Sequence, residues 1–188
     1  MKSPTDKINL ADLSSDDPKV KYCCAKNLIA MAKENPARLY PHIDTFVKLL
    51  DGDNNVLKWT AIIIIGNLAR VDKEKKVDQL MGRLVAFLNA GKLITANNAT
   101  MALAGIAIAK PQYQKQITKE LLKVEHYDYD TDECRNIAMG KVIEAIGPYF
   151  SQLQDKKAVI EFAQRQTKNT RNATRKKAER FLKKSKKD

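Results

Sequence analysis

Residues that cross-link or interrupt the chain are scarce in this sequence. It has 7 glycines, 6 prolines and 3 cysteines. An odd, small number of cysteines argues against a disulfide scaffold and favours a reducing compartment. We therefore expect an intracellular, cytoplasmic protein, with the nucleus left open, and we expect the cysteines to be small buried side chains.

Long apolar runs are also missing. No uninterrupted run is longer than Ala61–Ile65, which is far shorter than the ~20 residues that span a bilayer. No basic segment followed by an apolar one opens the sequence, so we expect neither a signal peptide nor a transmembrane segment.

What is present indicates one compact array with an uneven charge. The 188 residues correspond to about one domain, and 44% of them are hydrophobic, which is enough for a core. The net charge is +12, but residues 151–188 hold 13 Lys and Arg against 4 Asp and Glu. Residues 1–150 are therefore nearly balanced, and any electrostatic function belongs to the C-terminal end.

The apolar pattern has the period of a helix. Apolar residues recur at i, i+3, i+4 and i+7, as in the stripe from Leu39 to Leu50. Helix starts are visible at Asp17-Pro18 and at Thr131-Asp132, where capping residues precede the apolar positions. We predict an all-α chain of about nine or ten helices, with residues 1–13 as a flexible leader.

An internal repeat is the main signal. Similar segments surround five alanines, which are spaced by 36, 38, 39 and 40 residues: Ala25, Ala61, Ala99, Ala138 and Ala178. A large aliphatic residue mostly follows each alanine by four positions. Each unit thus predicts a helix A, a polar turn and a helix B, in which the alanine lets neighbouring helices approach. Because one such unit cannot bury its own apolar face, the units must stack.

This pattern resembles HEAT and armadillo repeats. Leu49-Leu50-Asp51, Asp53, Val56, Ala61 and Leu68 match the HEAT unit, and Gly66-Asn67-Leu68-Ala69 is similar to the end of an armadillo helix. The resemblance implies an all-α, right-handed α-α superhelix, or solenoid, of about four to five two-helix repeats. It would form a single domain over residues 14–188, with a basic capping helix from about residue 170. The armadillo asparagine occurs only at Asn67, which argues against a regular asparagine ladder.

The resemblance also implies a binding surface, because helix B lines the concave face of such solenoids. Positions two before, two after and six after each alanine point away from the core by helical spacing. The candidate partner groove built from these positions is Asn27, Met31, Trp59, Ile63, Asn67, Asn97, Met101, Asn136 and Glu144. Trp59 is either a binding hot spot in that groove or a residue packed between repeats. Ile62–Ile65 cover every side of one helix, so that helix is either buried all round or exposes an apolar patch.

The basic end has more than one interpretation. Its candidate basic patch is Arg171, Arg175, Lys176, Arg180, Lys183 and Lys184. These cations either form the solvated outer face of a capping helix or contact an acidic partner, such as the phosphates of a nucleic acid. Only Phe162 and Phe181 are aromatic in this region, so stacking on bases is not indicated.

Motifs for chemistry fail when their spacing is checked. The alternating acids from Asp128 to Asp132 lack the glycine and glutamate that a calcium-binding EF-hand loop needs. The two histidines, His42 and His126, have no neighbouring nucleophile motif. HEAT-like DNA glycosylases are a further alternative, but no Trp and Asp pair here matches their catalytic motif. We predict no catalytic, metal or cofactor site.

The sequence therefore favours a non-catalytic protein-binding scaffold or adaptor that uses the concave helix B face. The alternative is a nucleic-acid-associated protein that contacts phosphates through its basic C-terminal helix.

Overall fold

The computed structural model describes residues 9–185. Within that range the chain forms nine α-helices, joined by turns and short 3-10 segments, and no strand. The helices are Pro18–Glu34 (α1), Ile43–Leu49 (α2), Asn55–Leu68 (α3), Lys76–Ala86 (α4), Leu93–Ala109 (α5), Gln114–Leu122 (α6), Asp132–Ile146 (α7), Lys157–Gln166 (α8) and Asn172–Ser185 (α9). None of these helices is both long enough and apolar enough to cross a lipid bilayer.

Long and short helices alternate along the chain. The odd-numbered helices have 14 to 17 residues and the even-numbered ones 7 to 11. We call them B helices and A helices. This order confirms the all-α fold class and the two-helix repeat that the sequence predicts.

Side chains before the helices fix where they begin. The carboxylate of Asp17 accepts a hydrogen bond from the Lys19 amide, and Pro18 occupies the first turn of α1. Asn54 caps α3 and Thr131 caps α7 in the same way, at 3.1 Å each. The acidic loop before α7 therefore ends in a helix cap, as the helix start predicted at Thr131-Asp132 indicates.

All five register alanines are buried. Their exposed fractions lie between 0% and 3%: Ala25, Ala61, Ala99, Ala138 and Ala178. A methyl group at these positions lets the B helix pack closely, since a larger side chain would hold the neighbouring helix away. The repeat register that the sequence predicts is confirmed.

The chain divides into two compact units, residues 1–79 and residues 80–188. The sequence did not predict this division. Of the predicted leader, residues 1–8 lie outside the described residues. Leu10–Ser14, within the predicted leader, forms a 3-10 helix in which Leu13 is buried.

The first unit is held by α1 against α3 and by α2 against α3. Ile62, Ile64 and Ile65 are fully buried and Ile63 is half-buried. Of the two alternatives for this isoleucine run, α3 is therefore the helix buried on nearly all sides. Arg70, just after α3, donates to the carbonyl oxygens of Ala32 and Lys33, each at 2.7 Å. These carbonyls lie in the last turn of α1 and have no partner within that helix, so the Arg70 side chain caps its C-terminal end.

A buried carboxylate starts α4. Asp72 accepts hydrogen bonds from the Lys76 amide at 2.8 Å, from the Val77 amide at 3.1 Å and from the Tyr40 hydroxyl at 2.6 Å. Burial and this hydrogen bond to Asp72 both raise the pKa of Tyr40.

The second unit packs α5 on α7, α7 on α9 and α8 on α9. Its largest fully buried side chain is Tyr149, whose hydroxyl is 3.1 Å from the Thr118 hydroxyl. Glu125 accepts hydrogen bonds from Arg165 and from Gln166, which joins the turn after α6 to the end of α8. Both contacts pair a buried or partly buried polar group with a hydrogen-bonding partner.

Cysteine burial differs from the prediction. Cys23 is exposed, and Cys24 and Cys134 are half-buried. The interpretation of all three as buried small side chains is therefore wrong. Cys23 lies on the side of α1 opposite the buried Ala25 and Leu28.

A glycine lets α9 approach α7. A Cβ atom added at Gly140 would lie 2.8 Å from the hydroxyl oxygen of Thr174, which is fully buried. That hydroxyl donates to the Asn136 carbonyl oxygen at 2.7 Å. Contact between the two helices at this point requires the absence of a side chain.

We expect Gly140→Ala to destabilise the chain by about 1–3 kcal/mol, because α9 must shift away from α7. Gly82→Ala is the matched control, because a Cβ there meets nothing within 4 Å. It should raise stability by up to about 1 kcal/mol through helix propensity alone. Urea unfolding followed by circular dichroism measures both.

A double variant tests the steric cause. Combining Thr174→Ala with Gly140→Ala should lower the free energy of unfolding by less than the sum of the two single changes. Strict additivity would show that no steric conflict exists.

Stability should fall at high pH because of buried tyrosines. Burial raises the pKa of Tyr149 to about 12, from an ordinary value of about 10. A raised pKa in the folded state means that this group's contribution is complete below about pH 10. It is then lost as the pH rises to about 12, by an amount of about 2 kcal/mol. Tyr149→Phe should reduce this loss, although it lowers stability at pH 7 by about 1 kcal/mol by leaving Thr118 unpaired.

Denaturant titrations between about pH 7 and pH 12 test this expectation. Tyr22→Phe, at a residue that is 39% exposed, is the control. Equal slopes for the wild-type chain and Tyr149→Phe would contradict it.

Candidate binding faces of the B helices

In the first unit, the structure separates the predicted groove residues by burial. Asn27 is exposed on α1, and Trp59, Ile63 and Asn67 are half-buried on α3. Met31 differs, because it is only 5% exposed and belongs to the core. The segment Pro36–Arg38 packs against α1, and this end of the helix is covered where helical spacing predicted exposure.

The amide of Asn67 is already used within its own helix. It donates to the Ile63 carbonyl oxygen at 2.8 Å. A partner could therefore reach only the remaining hydrogen-bonding capacity of this side chain.

In the second unit, α5 has an unusual exposed face. Met101 is 44% exposed, and Ile94 and Ile108 are 53% and 48% exposed. These three residues are seven positions apart, so they lie in one line along the helix, about 21 Å from first to last. No residue between Leu93 and Ala109 is charged. An apolar line of this kind on a solvent-facing helix is typical of a binding surface.

Polar groups on this face are few. Asn97 is half-buried beside the line, and its Oδ1 atom is buried without a hydrogen-bond partner among the described residues. Gly105 falls between Met101 and Ile108 and adds no side chain. The groove predicted from the sequence included Asn97 and Met101 but neither Ile94 nor Ile108, which a spacing of seven residues from Met101 could have found. We call Ile94, Asn97, Met101, Gly105 and Ile108 the apolar face.

On α7 the predicted groove residues are engaged inside the unit. The Asn136 side chain donates to the Thr170 hydroxyl and accepts from the Asn169 amide, each at 2.9 Å. Glu144 is exposed and accepts hydrogen bonds from Lys177 at 2.7 Å and from Lys141 at 3.2 Å. The hydrogen bond from Lys177 lowers the pKa of Glu144. Asn136 thus holds the turn before α9, and Glu144 holds α9 itself.

The predicted basic patch separates into two groups. Arg171 pairs with Glu133 at 2.7 Å, and Arg175 donates to the carbonyl oxygens of Asn169 and Thr170. These two arginines fix α9 to the unit. The other four cations are exposed on one side of α9 and have no ion pair with a described residue: Lys176, Arg180, Lys183 and Lys184. We call these four the cationic face.

A separate concavity of about 810 Å³ lies along α6 and α8. Charged residues of both signs line it, among them Lys115, Lys119, Asp155 and Glu161. This mixture favours no particular ligand charge. Among residues 9–185, no group of three His, Cys, Asp or Glu side chains is arranged to hold a metal ion.

Known structures share the fold. A designed armadillo repeat protein is similar over 92% of this chain and 79% of its own, with 21% identity and a TM-score of 0.57. Two engineered proteins have TM-scores of 0.54 and 0.52, at 21% and 19% identity. They match 94% and 100% of this chain, and 77% and 100% of their own.

The other two comparisons found no relative. No protein-family model matches the sequence, and no curated protein does. Because the structural likeness is below 25% identity, it establishes the fold alone. The chain has the all-α, armadillo-like solenoid fold that the sequence predicts.

Proposed function

We propose that this chain is a non-catalytic scaffold or adaptor that binds a protein partner on the exposed faces of its B helices. One observation carries the proposal, namely the apolar face of α5. Three large aliphatic side chains there are about half exposed, on a helix that has no charge in 17 residues. Exposing such a line to water is unfavourable, and covering it with a partner recovers that free energy.

The chemistry of this face supports binding rather than catalysis. Its five residues offer aliphatic contacts and one amide, and none of them can transfer a proton or act as a nucleophile near neutral pH. The armadillo-like fold supports a scaffold in general terms, since stacked repeats provide long continuous surfaces.

A nucleic acid is the second candidate partner. The cationic face favours it, because four exposed cations on one helix can contact phosphates and release counterions.

Site-specific photo-cross-linking tests the main proposal. The photoreactive amino acid benzoylphenylalanine replaces Met101 in one version of the chain and Gln116 in another. Gln116 is exposed on α6, an A helix, and serves as the control position. We expect irradiation of cells that express the chain to give discrete protein adducts from position 101 and none of the same mass from position 116. Equal adducts from both positions would contradict a B-helix site.

Substitution at Met101 measures how much the apolar face contributes. With the cross-linker at Ile94, Met101→Glu should reduce the adduct by at least about tenfold, because it places a charge within an apolar contact. Met101→Leu should retain it, since volume and apolarity are nearly kept. Gln116→Glu introduces the same charge on an A helix and should have no effect. Retention of the adduct in Met101→Glu would show that the partner binds elsewhere.

A further inference from the structure

We propose that the second unit recognises a peptide segment of mixed character, in which large apolar residues and a cluster of acidic residues lie a short distance apart. The apolar residues contact the apolar face of α5 and the acidic residues contact the cationic face of α9. This inference rests on the proposed function and names the chemistry of the partner.

The cations of α9, and Arg171 just before it, fall into two groups. Arg171, Arg175 and Lys177 all bind groups of the same unit, at 2.7 to 2.9 Å. These contacts already attach α9 to its neighbours. The cationic face is not needed for that purpose, and together with the exposed Glu179 it has a net charge of +3. A surface of this kind attracts an acidic partner.

The helix between the two faces, α7, does not repel an acidic partner. α7 exposes two acids toward α9, Glu133 and Glu144. Each is paired with a cation at 2.7 Å, Glu133 with Arg171, just before α9, and Glu144 with Lys177 of α9. Because both acidic charges are compensated, an acidic segment that crosses α7 meets no unpaired like charge from them.

The order of the helices gives the spacing within the segment. α5 packs on α7 and α7 packs on α9. Packed helices lie about 8–10 Å apart, so the first and third helices are about 20 Å apart. An extended chain covers that distance in about six residues. We therefore expect about six residues between the centre of the apolar cluster and the centre of the acidic cluster.

Two features favour a peptide over a nucleic acid on these faces. Phe181 is the aromatic residue of α9, and its ring packs edge-on against the buried Phe150, with ring centroids 4.9 Å apart. It is therefore not presented for stacking on bases. The apolar face also offers no cation to a phosphate backbone, whereas a mixed peptide uses both faces.

Selection from a displayed library of random peptides tests the inference. The peptides are about 16 residues long, which exceeds the expected spacing between the two clusters. The full chain is the bait. Retained peptides are synthesised with a fluorescent label, and binding is measured by fluorescence anisotropy across a salt series. A second set replaces their Asp and Glu by Asn and Gln.

Two triple variants separate specific contacts from net charge. The test variant is Lys176→Glu, Arg180→Glu and Lys184→Glu. The control variant is Lys115→Glu, Lys119→Glu and Lys168→Glu, at exposed lysines that have no ion pair with a described residue. Both change the charge equally. Circular dichroism establishes that each remains folded.

The expected results concern both the peptides and the variants. Retained peptides combine aliphatic and acidic clusters, the test variant weakens them by at least about tenfold, and the control variant changes binding less than about twofold. The amide-substituted peptides should lose affinity to a similar extent, and Met101→Glu should abolish binding.

Other outcomes overturn the inference in distinguishable ways. Peptides that need Met101 but carry no acidic cluster would refute the acidic partner and leave the proposed function intact. Peptides that bind equally well to Met101→Glu would refute the proposed function itself. A labelled single-stranded RNA or duplex DNA that binds the cationic face more tightly than the best peptide would assign that face to nucleic acid.

Discussion

Close contact between successive B helices is the interaction on which the rest of each unit depends. An alanine with at most 3% exposure occupies the same register position in five helices. Between α7 and α9 the approach is closer still, because Gly140 faces the Thr174 hydroxyl with no side chain between. Small residues at these points bring backbones near enough for side chains of one repeat to reach the next. The polar contacts follow from that approach.

Those contacts repeat with the period of the sequence. Arg70 to Ala32, Gln114 to Gln152, Arg171 to Glu133 and Thr174 to Asn136 each join residues 38 positions apart. The repeat period thus appears twice, in the buried alanines and in the hydrogen bonds that satisfy polar groups between repeats. Since each bond needs both repeats in place, they stabilise the stacked unit rather than a single helix pair. Because the hydrogen bond from Arg171 to Glu133 is one of these contacts, part of the basic C-terminal end stabilises the fold.

Much of the fold could be predicted from the sequence, because helix period, capping residues and register alanines are local signals. The site was less predictable. Helical spacing placed Met31 on the surface, but covering of the end of α1 depends on Pro36–Arg38 and on Arg70, which lies 39 residues further along the chain. Composition likewise grouped six cations as one patch, whereas their pairing depends on where Glu133 and Asn169 fall in three dimensions. The division into two compact units has no sequence signal that we recognise.

Charge placement within the second unit links stability to function. Arg171, just before α9, and two cations of α9 hold this helix in place, and four further cations of α9 are exposed. α5 has no charge and exposes apolar side chains instead. Exposed charges contribute little to folding, and an exposed apolar line opposes solubility, so neither face is explained by stability. The partner that we propose would account for both, because apolar contact supplies affinity and opposite charge supplies orientation and a faster encounter. In that proposal, a surface divided in this way would distinguish a mixed segment from one that is only apolar or only acidic, since either of those leaves one face uncovered.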